Sequence, residues 1–220
     1  MGGRATRLLV YQESIVQNPD MSGTPRDPLR KYKTCRRYNE QGHAHALTFC
    51  CYKRQEFLAK QRSCQWLAEA IDLARAKHAF DLWAYVFMPE HVHLVICPRQ
   101  SVYDVSKILA TLKQSVTRKA LAYVRNSAPA FLERMLDEQP NGRKHYRFWQ
   151  RGGGFDRNLW SQKVLVAEID YVHANPVRRG LCERTEDWTW SSAADYALVR
   201  NGPLALNLES LPRMLHVERR

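Results

Sequence analysis

Two apolar runs, Phe80–Phe87 and 91–97, are separated only by Met88-Pro89-Glu90. Each has strand length, and so short a link with a proline in it points to an antiparallel hairpin. No other feature constrains the fold as much, because it sets a β-sheet at the centre of the chain. In the second run, apolar residues alternate with histidines. Residues i and i+2 of a strand share a face. Val92, Leu94 and Ile96 therefore turn one way, and His91 and His93 project side by side from the other. Two imidazoles so placed are a ready pair of metal ligands. On spacing alone, an ordinary polar pair remains open as well. A second His-x-His, His43-Ala44-His45, follows Gly42 and reads as a turn-to-strand boundary with exposed imidazoles.

Further elements gather around this hairpin. Ala46–Tyr52 reads as a first strand, in a core that begins near Ala44. Residues 59–77 carry Leu67, Ala70, Ile71 and Ala74 at helical spacing. A second helix starts at Ser101 or Asp104 and runs to Val124. Its core stripe is Val105, Ile108, Leu109, Leu112 and Val116, and its polar face bears Lys107, Lys113, Arg118 and Lys119. Between Lys107 and Arg125 no acid interrupts that face. An unbalanced basic face suits phosphate contacts, although a charged helix face is ordinarily just solvated. Residues 125–145 read as a loop-like insertion with one amphipathic turn at 131–136. Tyr146–Gln150 reads as a fourth strand, interrupted by Arg151-Gly152-Gly153-Gly154 and resumed over 155–160. Those glycines would let a backbone approach phosphate, but the Lys-Ser/Thr tail of a P-loop is missing. Ser161 is a good N-cap for a third helix running to Ala174, and Pro176 is expected to end it. The order β-α-β-β-α-β-α predicts an α+β domain, a central antiparallel sheet flanked by helices, ferredoxin-like or RNA-recognition-like in topology. Trp188, Trp190 and Tyr196 near its end would either pack on the sheet or stack on bases.

Charge and cysteine usage narrow the setting. The 220 residues carry a formal net charge of +12, which points to nucleic acid or an anionic membrane surface as partner. No apolar run reaches the roughly 18 residues needed to span a bilayer. The six cysteines, Cys35, Cys50, Cys51, Cys64, Cys97 and Cys182, include no Cys-x-x-Cys pair. They read as reduced thiols of a cytoplasmic protein rather than a zinc site. Residues 1–38 are polar, basic and aperiodic and read as a flexible leader; 39–200 form the domain and 201–220 a tail.

The third helix contains Glu168-Ile169-Asp170-Tyr171-Val172-His173-Ala174-Asn175-Pro176. Leu165, Ile169 and Val172 form its buried stripe, with Tyr171 and Asn175 four apart on one flank. By pattern alone, Tyr171 is a boundary aromatic and Asn175 a helix terminator.

Taken together, several segments resemble the single-tyrosine HUH transposases, and within them the REP-associated tyrosine transposases of bacteria. They are Gly42–Thr48, Met88–His93, Phe148-Trp149-Gln150, Asp170–Leu181 and Glu186–Ser192, in order over about residues 38 to 200. The resemblance implies an HUH nuclease fold and metal-dependent nicking and rejoining of single-stranded DNA at hairpin-forming repeats. Tyr171 is the implied nucleophile, through a 5′-phosphotyrosine link. His91, His93 and Asn175 are the implied ligands of Mg2+ or Mn2+. Lys113, Arg118, Arg147, Arg151, Arg178 and Arg179 are candidate DNA contacts, with Arg143 and Lys144 beside them. Glu168 reads as a surface carboxylate, with a role as base the lesser alternative. The implied partner is single-stranded DNA with hairpin structure and no membrane, at the nucleoid, with a homodimer left open. The alternative is a non-cleaving hairpin DNA-binding protein on the same fold. A zinc hydrolase built on His-x-His and an RNA-binding module are more distant rivals.

Overall fold

The computed structural model describes residues 38–212. The leader and its basic cluster, Cys35 and the last residues of the expected tail lie outside them. The strands are Ala44–Cys50 (β1), Phe80–Phe87 (β2), His91–Pro98 (β3), Leu136–Glu138 (β4), Lys144–Tyr146 (β5) and Phe155–Leu159 (β6). A four-stranded sheet has the order β2-β3-β1-β6, antiparallel throughout. The expected hairpin is its β2–β3 pair, with Phe87 opposite Val92 and Phe80 opposite Pro98. Strand β1 lies on the other side of β3, with Thr48 opposite His93 and Cys50 opposite His91.

The long helices are Gln61–His78 (α1), Val105–Ser127 (α2) and, after the single turn Leu132–Met135 (α3), Gln162–Arg178 (α4). Helices α1 and α2 pack on one sheet face. Leu67, Ile71, Ile108 and Leu112 meet Leu47, Phe49, Val92, Leu94 and Ile96 there. Helix α4 covers the opposite face, where Leu165, Ile169 and Val172 rest on Ala46, Ala84, Val86 and Val95. Small and β-branched side chains on that face let α4 lie close to the sheet. Asp104 caps α2 by accepting from the Ser106 N–H, and Ser161 caps α4 by accepting from the Val164 N–H at 3.4 Å. Both α+β layers and the three apolar stripes are those expected from the periodicity.

Four expectations need correction. First, the sheet's fourth strand is β6, not Tyr146–Gln150. Phe148 and Trp149 are both buried although consecutive, which a strand with one open face cannot achieve. Trp149 makes only an isolated bridge with Cys51. Second, the 125–145 insertion is structured, since β4 and β5 pair as a small ribbon with Leu136 opposite Tyr146. Third, the glycine run serves the sheet. Gly154 has φ +74°, and a Cβ there would lie 2.1 Å from the Thr48 carbonyl oxygen, so only glycine lets the chain enter β6 at that angle. Fourth, Pro176 does not end α4, which continues to Arg178. Pro176 has no N–H for the Val172 carbonyl. The Asn175 side-chain Nδ2 approaches that carbonyl at 3.5 Å and donates to the Tyr171 carbonyl at 2.7 Å. The Asn-Pro pair thus repairs part of the break it creates.

Residues after the expected domain end also pack on the fold. Leu204 and Leu211 are buried in the two core layers, and the Asn207 N–H donates to the Leu82 carbonyl at 3.0 Å. The three late aromatics pack rather than project. The Trp188 indole donates to the Phe87 carbonyl, Trp190 stacks on Phe87, and the Tyr196 hydroxyl donates to the Trp83 carbonyl. Cys50, Cys51, Cys64, Cys97 and Cys182 are free thiols. Among the described residues, no helix is long and apolar enough to cross a membrane.

Candidate active site between the sheet and the last long helix

The alternation of β3 places His91 and His93 on the α4 face. Their rings stand edge to face with centroids 4.8 Å apart. Both side chains are buried, at 7% and 6% exposure. Tyr171 comes to the same place from α4, its ring 5.6 Å from that of His93 and nearly perpendicular to it. Unlike the histidines it reaches solvent, with 42% of its surface exposed. One flank of α4 therefore presents a phenol where a buried histidine pair meets the outside.

Each imidazole has one nitrogen committed. His93 Nδ1 is 2.8 Å from the Thr48 hydroxyl, a contact dictated by the Thr48–His93 register. His91 Nδ1 lies 3.0 Å from a Glu90 carboxylate oxygen, to which it donates. The Arg179 guanidinium donates to that same oxygen at 2.8 Å. A carboxylate on one ring nitrogen sets the tautomer and turns the Nε2 lone pair outward, an arrangement typical of metal-binding histidine. His93 Nε2 is buried and has no partner among the described residues, and neither has the second Glu90 oxygen. Burial pushes His93 down to about 3, helped by the neighbouring His91 charge, and burial also lowers His91. Both rings stay neutral, the form that binds metal. For Glu90, burial is the largest influence and acts upward. The Arg179 hydrogen bond and the His91 and Arg179 charges outweigh it and hold the carboxyl below its usual range.

Asn175 is buried one turn beyond Tyr171. Its Nδ2 faces the helix carbonyls of Tyr171 and Val172, which turns Oδ1 away from them. Among the described residues, no three His, Cys, Asp or Glu side chains converge as a metal cluster. The residues that could hold an ion are His91 and His93, with the Asn175 amide oxygen as the third donor expected from the sequence. An orphaned, buried, neutral imidazole nitrogen suits a divalent cation chemically.

The expected DNA contacts divide into two groups. Arg178 and Arg179 belong to this centre: the Arg178 guanidinium lies 5.2 Å from the Tyr171 ring centroid, and Arg179 holds Glu90. Lys113, Arg118, Arg147 and Arg151 gather elsewhere, around a cavity on the α2 side. The basic rail of α2 is also less unbalanced than it reads, because Lys119 pairs with Glu69 of α1.

Three residues of the centre escaped the reading by pattern. Glu90 looked like part of a turn, Thr48 like one residue of an apolar strand, and Arg179 was given only to DNA. Thr48 follows from β-register rather than from spacing, and Glu90 from its place beside His91 at the start of β3. Glu168 is not a surface carboxylate. Its side chain is 13% exposed, it lies 3.6 Å from Arg157, and burial raises its pKa. The other His-x-His is not an exposed pair. His45 is fully buried, with Nδ1 2.8 Å from Asp156 and Nε2 2.8 Å from the Tyr103 hydroxyl.

A Haemophilus influenzae protein (strain Rd) classed as a REP-associated tyrosine transposase is 26% identical over 115 residues, 52% of this chain. The match spans 60% of that relative's length. The solved structure of a REP-associated tyrosine transposase bound to a REP hairpin superposes with a TM-score of 0.60 at 19% identity. It covers 79% of this chain and 97% of its own, so the fold is shared. Residues 39–178, more than half the chain, match the family "Transposase IS200 like". The chain, with its antiparallel HUH-type sheet, belongs to the IS200-like transposase family.

Proposed function

We propose that residues 39–200 nick and rejoin single-stranded DNA at hairpin-forming repeats, through a covalent 5′-phosphotyrosine link on Tyr171. The observation that carries this reading is the orphaned His93 Nε2, beside His91 and against the Tyr171 ring. The hairpin substrate is taken from what the structural relative is bound to. A divalent ion, magnesium or manganese, held by His91, His93 and the Asn175 amide oxygen would supply Lewis-acid polarisation of the scissile phosphate.

The chain's own residues do the rest. Tyr171 Oη forms the new bond to phosphorus and loses its proton; the bond to the 3′ oxygen breaks, and that oxygen leaves as a 3′-OH. The exposed edge of the Tyr171 ring leaves room for a strand to approach. The Arg178 guanidinium beside the ring places a positive charge where a phosphate would arrive. Glu90 fixes the His91 tautomer, and Arg179 keeps Glu90 ionised. Because a phosphodiester is exchanged for a phosphotyrosine, attack by a 3′-OH restores the strand with no external energy source. One chain brings the histidines and the tyrosine together, so chemistry within a single protomer suffices.

The test uses labelled single-stranded DNA from the flanks of the gene, with manganese or magnesium, and looks for an adduct that survives denaturation. Tyr171→Phe should lower adduct formation at least about a thousandfold while leaving DNA binding in place. A wild-type protein that retains hairpin DNA and forms no adduct would instead be a binding protein. Undiminished adduct in Tyr171→Phe would remove the tyrosine mechanism.

A further inference from the structure

Lys113, Arg118, Arg147 and Arg151 line a single cavity of about 400 Å³, together with Tyr146 and Trp149. Two of these cations, Arg147 and Arg151, share one carboxylate, Asp137, so the lining keeps an excess of positive charge. Lys113 donates to the Gly152 carbonyl at 2.8 Å, which fixes its ammonium at the cavity wall. Trp149 adds an independent observation. It is 4% exposed, and its indole N–H has no acceptor among the described residues. A buried donor without an acceptor is costly unless a ligand supplies one.

We propose that this cavity receives one unpaired nucleotide of the DNA strand, with its phosphate on the basic side chains and its base against Tyr146 and the Trp149 N–H. The cavity's size is that of a small-ligand site. A paired base cannot enter such a concavity, whereas an unstacked one can, presenting carbonyl and ring-nitrogen acceptors to a fixed donor. An exposed tyrosine ring at the rim suits stacking, which every base tolerates.

The position of the cavity gives binding a consequence. The Gln150 N–H donates to the Cys50 carbonyl at 2.9 Å, and Cys50 lies opposite His91. The Cys51 N–H donates to the Glu90 carbonyl at 2.8 Å. The cavity wall is therefore tied to the end of the sheet that carries the histidine pair. A nucleotide seated there sets which phosphate of the same strand arrives at Tyr171. Only this last step rests on the nuclease reading; the binding itself does not.

The experiment is done in the Tyr171→Phe background, so that no covalent trapping occurs. Anisotropy of a short labelled unstructured oligonucleotide is compared with that of a blunt duplex and of an abasic strand, with inorganic phosphate as competitor. Arg118→Glu, an exposed change, should raise Kd for the single strand about tenfold and make its salt dependence shallower. Trp149→Phe keeps a ring and removes the N–H. It should weaken single-strand binding roughly three- to tenfold, and that difference should vanish with the abasic strand. Wild-type affinity in both variants overturns the proposal, as does equal loss on single strand and duplex. Full competition by inorganic phosphate alone overturns the base-reading part. If Trp149→Phe fails to fold, Arg118→Glu and the abasic comparison decide. Wild-type protein that cleaves while the variants bind normally leaves the nuclease reading standing and removes this one. Variants that bind poorly, beside a wild type that never forms adduct, do the reverse.

Discussion

The chain contains His-x-His twice, on neighbouring strands, and the two copies have opposite fates. His45 of β1 faces α1 and α2, opposite Ile96, and both its nitrogens are engaged, by Asp156 and Tyr103. His91 and His93 of β3 face α4; each has one nitrogen engaged, and His93 Nε2 has no partner among the described residues. The same residue pattern therefore builds core on one face and leaves an uncommitted imidazole nitrogen on the other. What separates them is the cover. Helices α1 and α2 bring a thick layer of Leu, Ile and aromatic side chains and close their face. Helix α4 rests on alanines and valines and ends its apolar stripe at Val172, beside the exposed Tyr171. Spacing in sequence cannot tell the two pairs apart, because the difference is made by what packs above them.

Exchanging each histidine for alanine measures that difference directly. His93→Ala should reduce metal-stimulated adduct formation by at least about a hundredfold. It should lower the melting temperature less than the His45 change does, since it breaks one side-chain hydrogen bond, to the Thr48 hydroxyl, rather than two. His45→Ala should do the opposite. It removes a fully buried ring and its hydrogen bonds to Asp156 and the Tyr103 hydroxyl, which costs about 3 kcal/mol of stability. Residual activity per folded molecule should stay close to wild type. Denaturant melts and single-turnover adduct assays on the same two proteins decide the matter. If both lose stability alike and keep activity alike, the functional division between the faces is wrong.

Glu90→Gln probes the support of the site rather than its ligands. The amide keeps the shape but loses the charge that fixes the His91 tautomer and attracts Arg179. The manganese concentration giving half-maximal adduct should rise about 10- to 100-fold. Adduct at saturating metal should recover most of the wild-type level. An unchanged metal requirement would mean that His91 is not held for an ion at all.

What could be read in advance follows one physical rule. Periodic burial was visible: Leu165, Ile169 and Val172 on α4, the stripe of α2, and the face shared by His91 and His93 all follow from periods of 3.6 and 2. The fold class followed from the order of those elements. Contacts set by register or by local repair were not visible. Thr48 reaches His93 only because β1 pairs with β3 at one particular offset. The ribbon of β4 and β5 is made of three-residue strands, too short to show alternation. Phe148 and Trp149 read as strand because they are aromatic, but they are wedged side by side into the core. The continuation of α4 past Pro176 depends on the Asn175 amide, a side-chain substitute that proline rules do not anticipate.

Glu168 gives the smallest effect, and it bears on the cover of the active face rather than on its chemistry. Its carboxyl is mostly buried under Arg157, and burial, the larger influence, raises its pKa against the lowering by that arginine. A carboxyl whose folded-state pKa is raised favours the folded state when protonated. That contribution is fully present below the unfolded pKa and is lost as pH rises through the folded value. Wild-type stability should therefore decline slightly across the range just above the ordinary glutamate pKa of about 4.3. Glu168→Gln, neutral at every pH, should flatten this decline and be at least as stable as wild type near neutrality. Thermal melts of the two proteins across that range read the difference. A steeper pH dependence in the variant, or a loss of stability confined to neutral pH, would show that the Arg157 ion pair outweighs burial. The carboxylate would then be a fastener between α4 and β6 rather than a strained group at their junction.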